Sequence, residues 1–144
     1  MRRGGFSLFE LMIVITLFAT LALGTAVFAV QTIRANGFVR MRELMRRELV
    51  SARADTVNGT QDSAWGVMFL SNMFVRFQGT TYATRVQNYD RVTNYPPGFS
   101  VTGTTEVNFT RPEGAPVTAA TIVLSQGTRT ARITVNTMGT VQVQ

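Results

Sequence analysis

Three features of the sequence predict an α+β fold in which one long N-terminal helix packs on an antiparallel β-sheet. Residues 6–30 contain no proline and a single charge, Glu10. Residues 31–57 keep the helical spacing of apolar residues but fill the rest of the surface with arginine. Residues 58–144 change to short β-branched and aromatic runs separated by glycine turns.

The first segment, residues 6–30, would rise about 37 Å as a helix, more than a ~30 Å hydrocarbon layer. Val30, Ile33, Phe38, Met41, Leu44, Met45, Leu49 and Ala52 then recur, apart from the adjacent Leu44 and Met45, at spacings of three to five and predict one apolar stripe. Arg34, Arg40, Arg42, Arg46, Arg47 and Arg53 occupy the remainder as a solvated face, and Glu43 precedes Arg47 by the favourable four residues. A helix from about residue 6 to residue 55 is ~75 Å long, far beyond a small globule. Its second half is expected to be the spine for a sheet. Gly24 and Gly37 are the soft points, each costing ~1 kcal/mol relative to alanine. Asn58 and Gly59 supply the stop, either being suited to a left-handed cap.

Strands are predicted at residues 64–70, 74–77, 81–86, 121–124, 131–135 and 140–143. Gln78-Gly79, Pro96-Pro97-Gly98, Gln126-Gly127 and Met138-Gly139 punctuate them, giving an antiparallel meander with residues 89–100 as an irregular excursion. Trp65, Phe69, Phe74 and Phe77 are expected in its core rather than on a ligand surface.

A chain of 144 residues suits one domain, with fewer than a hundred residues left for a core beyond the helix. Histidine, cysteine and lysine are absent, which removes Ser/His and Cys/His nucleophile pairs, His/Cys zinc sites and Schiff-base lysine. Glu106 and Glu113 flank a turn, but without convergent carbonyl ligands they do not make a calcium site. The composition therefore argues against an enzyme, and neither metal nor cofactor is expected. All 14 basic residues are arginine, and five follow the apolar run within twenty residues. No aromatic residues interleave with them as a base-stacking platform would require, so a solvated face beside a membrane is the simpler reading.

Glu10 needs an explanation of its own, because a carboxylate within a membrane helix is usually paired and functional. A secretory signal peptide is too short to match the run, although Ala22-Leu23-Gly24 offers a small-residue cleavage site. The stretch MRRGG-FSLFELMIVITLFATLALG resembles the class III signal of type IV prepilins and type II secretion pseudopilins. The resemblance implies a leader of residues 1–5 cut after Gly5 by a prepilin peptidase. Phe6 is then the new, N-methylated terminus and Glu10 the glutamate that guides assembly. It further implies a fibre-core or transmembrane helix over residues 6–30, an amphipathic extension over 31–57 and an exported sheet domain over 58–144. Partners implied are other pilin or pseudopilin subunits, the peptidase and an inner-membrane assembly platform. The distribution of arginines alone would place the downstream residues in the cytoplasm. The resemblance places them outside it, in a single-pass protein of the bacterial inner membrane that later enters a fibre.

The C-terminal third, VNFTRPEG then ATIVL then RITVNTMGTV, is similar to the GspH/FimT group of minor pseudopilins and pilins. Two functions follow: a structural minor subunit of a secretion pseudopilus or type IV pilus, or a minor pilin that captures DNA for uptake. DNA-binding members carry arginines around and after the last glycine turn. Here residues 139–144 hold none, which leaves Arg111, Arg129 and Arg132 as candidate contacts.

Overall fold

Helix α1 spans Leu8–Val57, 50 residues without interruption, through both Gly24 and Gly37. The structure, a computed structural model, describes residues 7–144, with the backbone alone for residues 23–35. Two units are distinguished, Met1–Val39 and Arg40–Gln144. Among its described residues, the first holds the N-terminal part of α1. In the second, the C-terminal part of α1 packs on two antiparallel sheets, the α+β, pilin-like arrangement expected.

Nine strands follow the helix: β1 Trp65–Phe69, β2 Met73–Gln78, β3 Arg91–Asn94, β4 Phe99–Gly103, β5 Glu106–Thr110, β6 Ala115–Pro116, β7 Ala120–Gln126, β8 Arg129–Val135 and β9 Val141–Val143. They form a five-stranded sheet, β3-β2-β1-β5-β6, and a four-stranded sheet, β4-β7-β8-β9, in place of the single meander expected. The reason lies in residues 99–110: β4 pairs with β7 while β5, two residues later, pairs with β1. One stretch of chain thus passes from sheet to sheet. Residues 89–100, read as irregular, contain β3 and the start of β4.

Residues 81–86 are not a strand. The segment 79–90 folds back over the first sheet, held by its own side chains. The Tyr82 ring meets Phe77 edge-on at 5.5 Å, and the Tyr82 N–H donates to Glu106 Oε1 at 2.8 Å. The Arg85 guanidinium lies 3.8 Å from the centre of the Tyr82 ring and bonds Asp90 Oδ2 at 2.8 Å. This covers the face away from the helix, and so β2 is buried on both faces from Phe74 to Gln78. A period-two signal cannot survive in such a strand. Trp65, Phe69, Phe74 and Phe77 are all buried, each contributing roughly 1.5–3 kcal/mol by removal from water.

Met41, Met45, Leu49 and Ala52 carry the apolar stripe of α1 into the core, with Leu44 half-buried. Glu43 pairs with Arg46 at 2.8 Å, one residue closer than Arg47. That hydrogen bond holds the Glu43 carboxyl below its ordinary range.

The helix face is not wholly apolar. Arg76 of β2 is buried with its Nη1 3.0 Å from Asp55 Oδ2 and its Nε 3.3 Å from Glu48 Oε2. It also donates to Ser51 Oγ and lies 5.7 Å from the Trp65 ring centre. Residues 48, 51 and 55 fall at i, i+3 and i+7, one face of the helix. Two helix carboxylates therefore share one sheet arginine inside the core. Replacing Arg76 by Ala strands both and is expected to destabilise the protein by about 3–5 kcal/mol. Chemical denaturation of the purified chain measures this, and a loss below ~1 kcal/mol would contradict the role.

Candidate assembly site

The N-terminal helix starts on a local sequence signal that the reading above passed over. Ser7 precedes the first helical residue and Glu10 follows three positions later, the spacing of a capping box. Ser7 Oγ accepts a hydrogen bond from the Phe9 N–H at 3.3 Å, and the Ser7 carbonyl accepts one from Leu11 at 3.1 Å. Glu10 thus occupies the first turn of α1. The helix dipole favours a carboxylate there by ~0.3–1 kcal/mol. Gly5 and Phe6 lie outside the described residues.

Around Glu10 the helix has no polar face. Leu11, Met12, Ile13, Val14 and Ile15 are consecutive and all exposed, as are Leu17, Phe18 and Leu21. Thr16 donates its hydroxyl to the carbonyls of Met12 and Ile13 at 2.9 and 2.8 Å, and Thr20 donates to Leu17 at 2.9 Å. The hydroxyls are satisfied within the helix, which leaves a surface suited to lipid or to other apolar helices. Among the described residues no helix is long and apolar enough to cross a membrane. The exposed Glu10 carboxylate is the single charge on residues 7–22.

In the second unit, Arg53 of α1 fastens the helix to the two glycine turns of the C-terminal third. Its Nε donates to the Gly114 carbonyl at 3.0 Å and its Nη2 to the Met138 carbonyl at 3.1 Å. Gly139 sits at φ 77°, and a Cβ there would fall 2.3 Å from the Gly114 carbonyl oxygen and 2.5 Å from Arg53 Nε. A helical period assigns Arg53 to the solvated face; nothing in α1 reveals that two carbonyls 61 and 85 residues later turn towards it. Beside this junction an open groove of about 490 Å³ runs between the last turns of α1 and the start of β9, with Val50, Val57 and Val141 among its walls.

The candidate DNA contacts are distributed over both sheets. Arg111 is bound to Asp62 at 2.7 Å beside the first sheet. Arg129 and Arg132 lie in the second sheet, three residues apart on β8 and therefore on opposite faces. Glu106 accepts from Tyr82 N and from Asn108 Nδ2. Among the described residues no cluster of three carboxylate or other metal-ligating side chains occurs.

In comparison with known proteins, residues 1–26 match the prokaryotic N-terminal methylation motif. No curated protein and no solved structure gives a match to the chain.

Arg53→Ala removes two charge-assisted bonds and is expected to cost about 1–3 kcal/mol. Gly139→Ala, forced into the left-handed region against a carbonyl, should cost at least ~1 kcal/mol. Because both changes break the same junction, the double variant should lose less than the sum of the singles. Additive losses in a denaturation cycle would show that the two residues act separately.

Proposed function

We propose that this chain, which carries a type IV pilin-like class III signal over its first 26 residues, is a structural minor pseudopilin or minor pilin. A prepilin peptidase cuts after Gly5, the Phe6 amine is methylated, and the mature chain is anchored through its N-terminal helix in the inner membrane. It is then built into a type II secretion pseudopilus or a type IV pilus by an assembly platform. The observation that carries this reading is the match to the methylation motif, which covers Glu10 and the start of the helix whose exposed side chains are apolar on every side.

Cleavage leaves a cation on Phe6, and methylation keeps its charge. When apolar helices gather, that amine and the Glu10 carboxylate of a neighbouring subunit neutralise each other where neither would be stable alone. Register follows from the same pair, since only one axial offset brings amine to carboxylate. The GspH/FimT subtype draws support from the order of elements: the Phe109 strand, the Gly114 turn, β7 and β8, and the Gly139 turn into a short last strand. The subunit works by packing, and the reading assigns it no reaction of its own.

Glu10→Ala is expected to be cleaved and methylated as the natural chain is, with mass spectrometry reading the methylated Phe6 terminus. Its incorporation should fall at least tenfold, since an unpaired buried charge costs roughly 3–5 kcal/mol. Equal recovery of variant and natural chain in sheared fibres would remove Glu10 from assembly. An unprocessed natural chain in a strain with an active prepilin peptidase would overturn the reading itself.

A further inference from the structure

The second sheet leaves two open edges, β4 and β9, and neither carries a charged residue or a proline. The outer strands of the first sheet differ: β6 contains Pro116, and β3 carries Arg91. Proline and charge are the usual protection of an edge against pairing with another chain. The second sheet lacks it on both sides.

Backbone parity shows which groups are available. Arg132 and Gln144 exchange both hydrogen bonds at 2.9 Å, and the Asn136 N–H donates to the Thr140 carbonyl. Alternation along an antiparallel ladder then turns the N–H and C=O of Val141 and Val143 away from β8, to the open edge. On β4, the Thr104 N–H donates to the Thr121 carbonyl at 2.8 Å, which turns the backbone groups of Val101 and Gly103 to the opposite open edge. Val101 lies opposite the buried Leu124, and Val141 and Val143 opposite the buried Val135 and Ile133. On both edges, then, the residues with free backbone groups are those on the inner face of the sheet. Gln142 and Thr102, on the outer face, are exposed.

On the β9 side, the last turns of α1 and the start of β9 line one open groove. Val50 and Val57, two turns apart on α1, remain 42% and 48% exposed along the groove next to Val141. Val50, Val57 and Val141 offer apolar contacts to one more strand with apolar residues facing in, beside Arg53, Asn58 and Glu113 of the same groove.

We propose that β9 pairs with β4 of a second copy of this chain, so that the second sheets of neighbouring subunits join into one. Within one sheet β4 and β9 run in opposite directions, since three antiparallel pairings separate them. Copies lying in the same direction therefore bring β9 of one against β4 of the next as an antiparallel pair. That shared direction rests on the fibre reading above. An antiparallel pair of two β9 strands would need the copies to run in opposite directions. The register that uses all four open residues sets Val143 against Val101 and Val141 against Gly103, giving four backbone hydrogen bonds. Val101 of the second copy then continues the inner face next to the groove. The contact is heterologous, and two adjacent copies, which a minor subunit can supply, suffice to form it.

In this register Gln142 faces Thr102 of the next copy across a non-hydrogen-bonded pair, at a Cα separation of ~4.5 Å, within the ~4.4–6.8 Å that a disulfide spans. The natural chain has no cysteine. Gln142→Cys, Thr102→Cys and the double variant are expressed as full chains in the assembling strain and oxidised in the membrane and in sheared fibres. Both positions are exposed, and the variants are expected to fold. The double variant is expected to give disulfide-linked dimers and higher species at least tenfold above either single variant. Dimers of Gln142→Cys alone, as strong as those of the double variant, would replace this pairing by β9 on β9 and overturn it. A double variant that is processed and present in fibres but does not cross-link would also overturn it, leaving the fibre reading intact. Cross-linking of a chain that never enters fibres would uphold the pairing and overturn the fibre reading.

Discussion

A carboxylate in the first turn of an otherwise apolar helix must meet a cation once that helix leaves water. Glu10 has a local reason to be where it is, since Ser7 caps the helix three residues earlier and the dipole favours a negative charge at that end. That gain of under ~1 kcal/mol is small beside the several kcal/mol per ion of desolvation. Within residues 7–22 there is no basic side chain to compensate. In the function proposed above, that cation is the methylated Phe6 amine of a neighbouring subunit. On that proposal, processing, anchoring and assembly are steps towards one ion pair.

The C-terminal turns of the same helix solve the opposite problem. Here charge is brought inside on purpose, with Arg76 enclosed by Glu48, Asp55 and Ser51, and Arg53 spanning two backbone carbonyls. Apolar packing of Met41, Met45, Leu49 and Ala52 drives the helix onto the sheets but does not choose among rotations that bury similar area. A guanidinium that must meet a carboxylate on one side and carbonyls on the other does choose. These contacts fix which face of α1 is left beside β9.

The sequence makes the helix legible because its signals are long and periodic: fifty residues without proline, an apolar run that turns one-sided, and Asn58-Gly59 at the end, where Gly59 takes φ 66°. The hairpin β7–β8 is legible for a similar reason, with alternating Ile122, Leu124 and Ile133, Val135 on either side of Gly127. Residues 81–86 mislead because threonine, tyrosine and valine favour a strand locally, while Tyr82 gains more by covering Phe77. The division into two sheets depends on partners chosen by β4 and β5, which no local pattern encodes. Of the candidate site, Glu10 stands out as an anomaly of charge, and the Ser7 cap was readable from its spacing. Arg53 and Arg76 were not, since a buried arginine is told from a solvated one only by acceptors distant in the chain.

The measurement that tests the central claim most directly is the separation between the Phe6 amine and the Glu10 carboxylate in assembled fibres grown from two labelled pools. One pool carries nitrogen-15 at the amine and the other carbon-13 at the carboxylate, and solid-state magnetic resonance reads the dipolar coupling between them. Because each label is confined to its own pool, a coupling reports contact between subunits. The account predicts coupling at ion-pair distance, ~4 Å or less between nitrogen and oxygen, and its loss in fibres whose carboxylate pool carries Glu10→Gln labelled at the amide carbon. Assembled fibres without that coupling between pools would contradict the account.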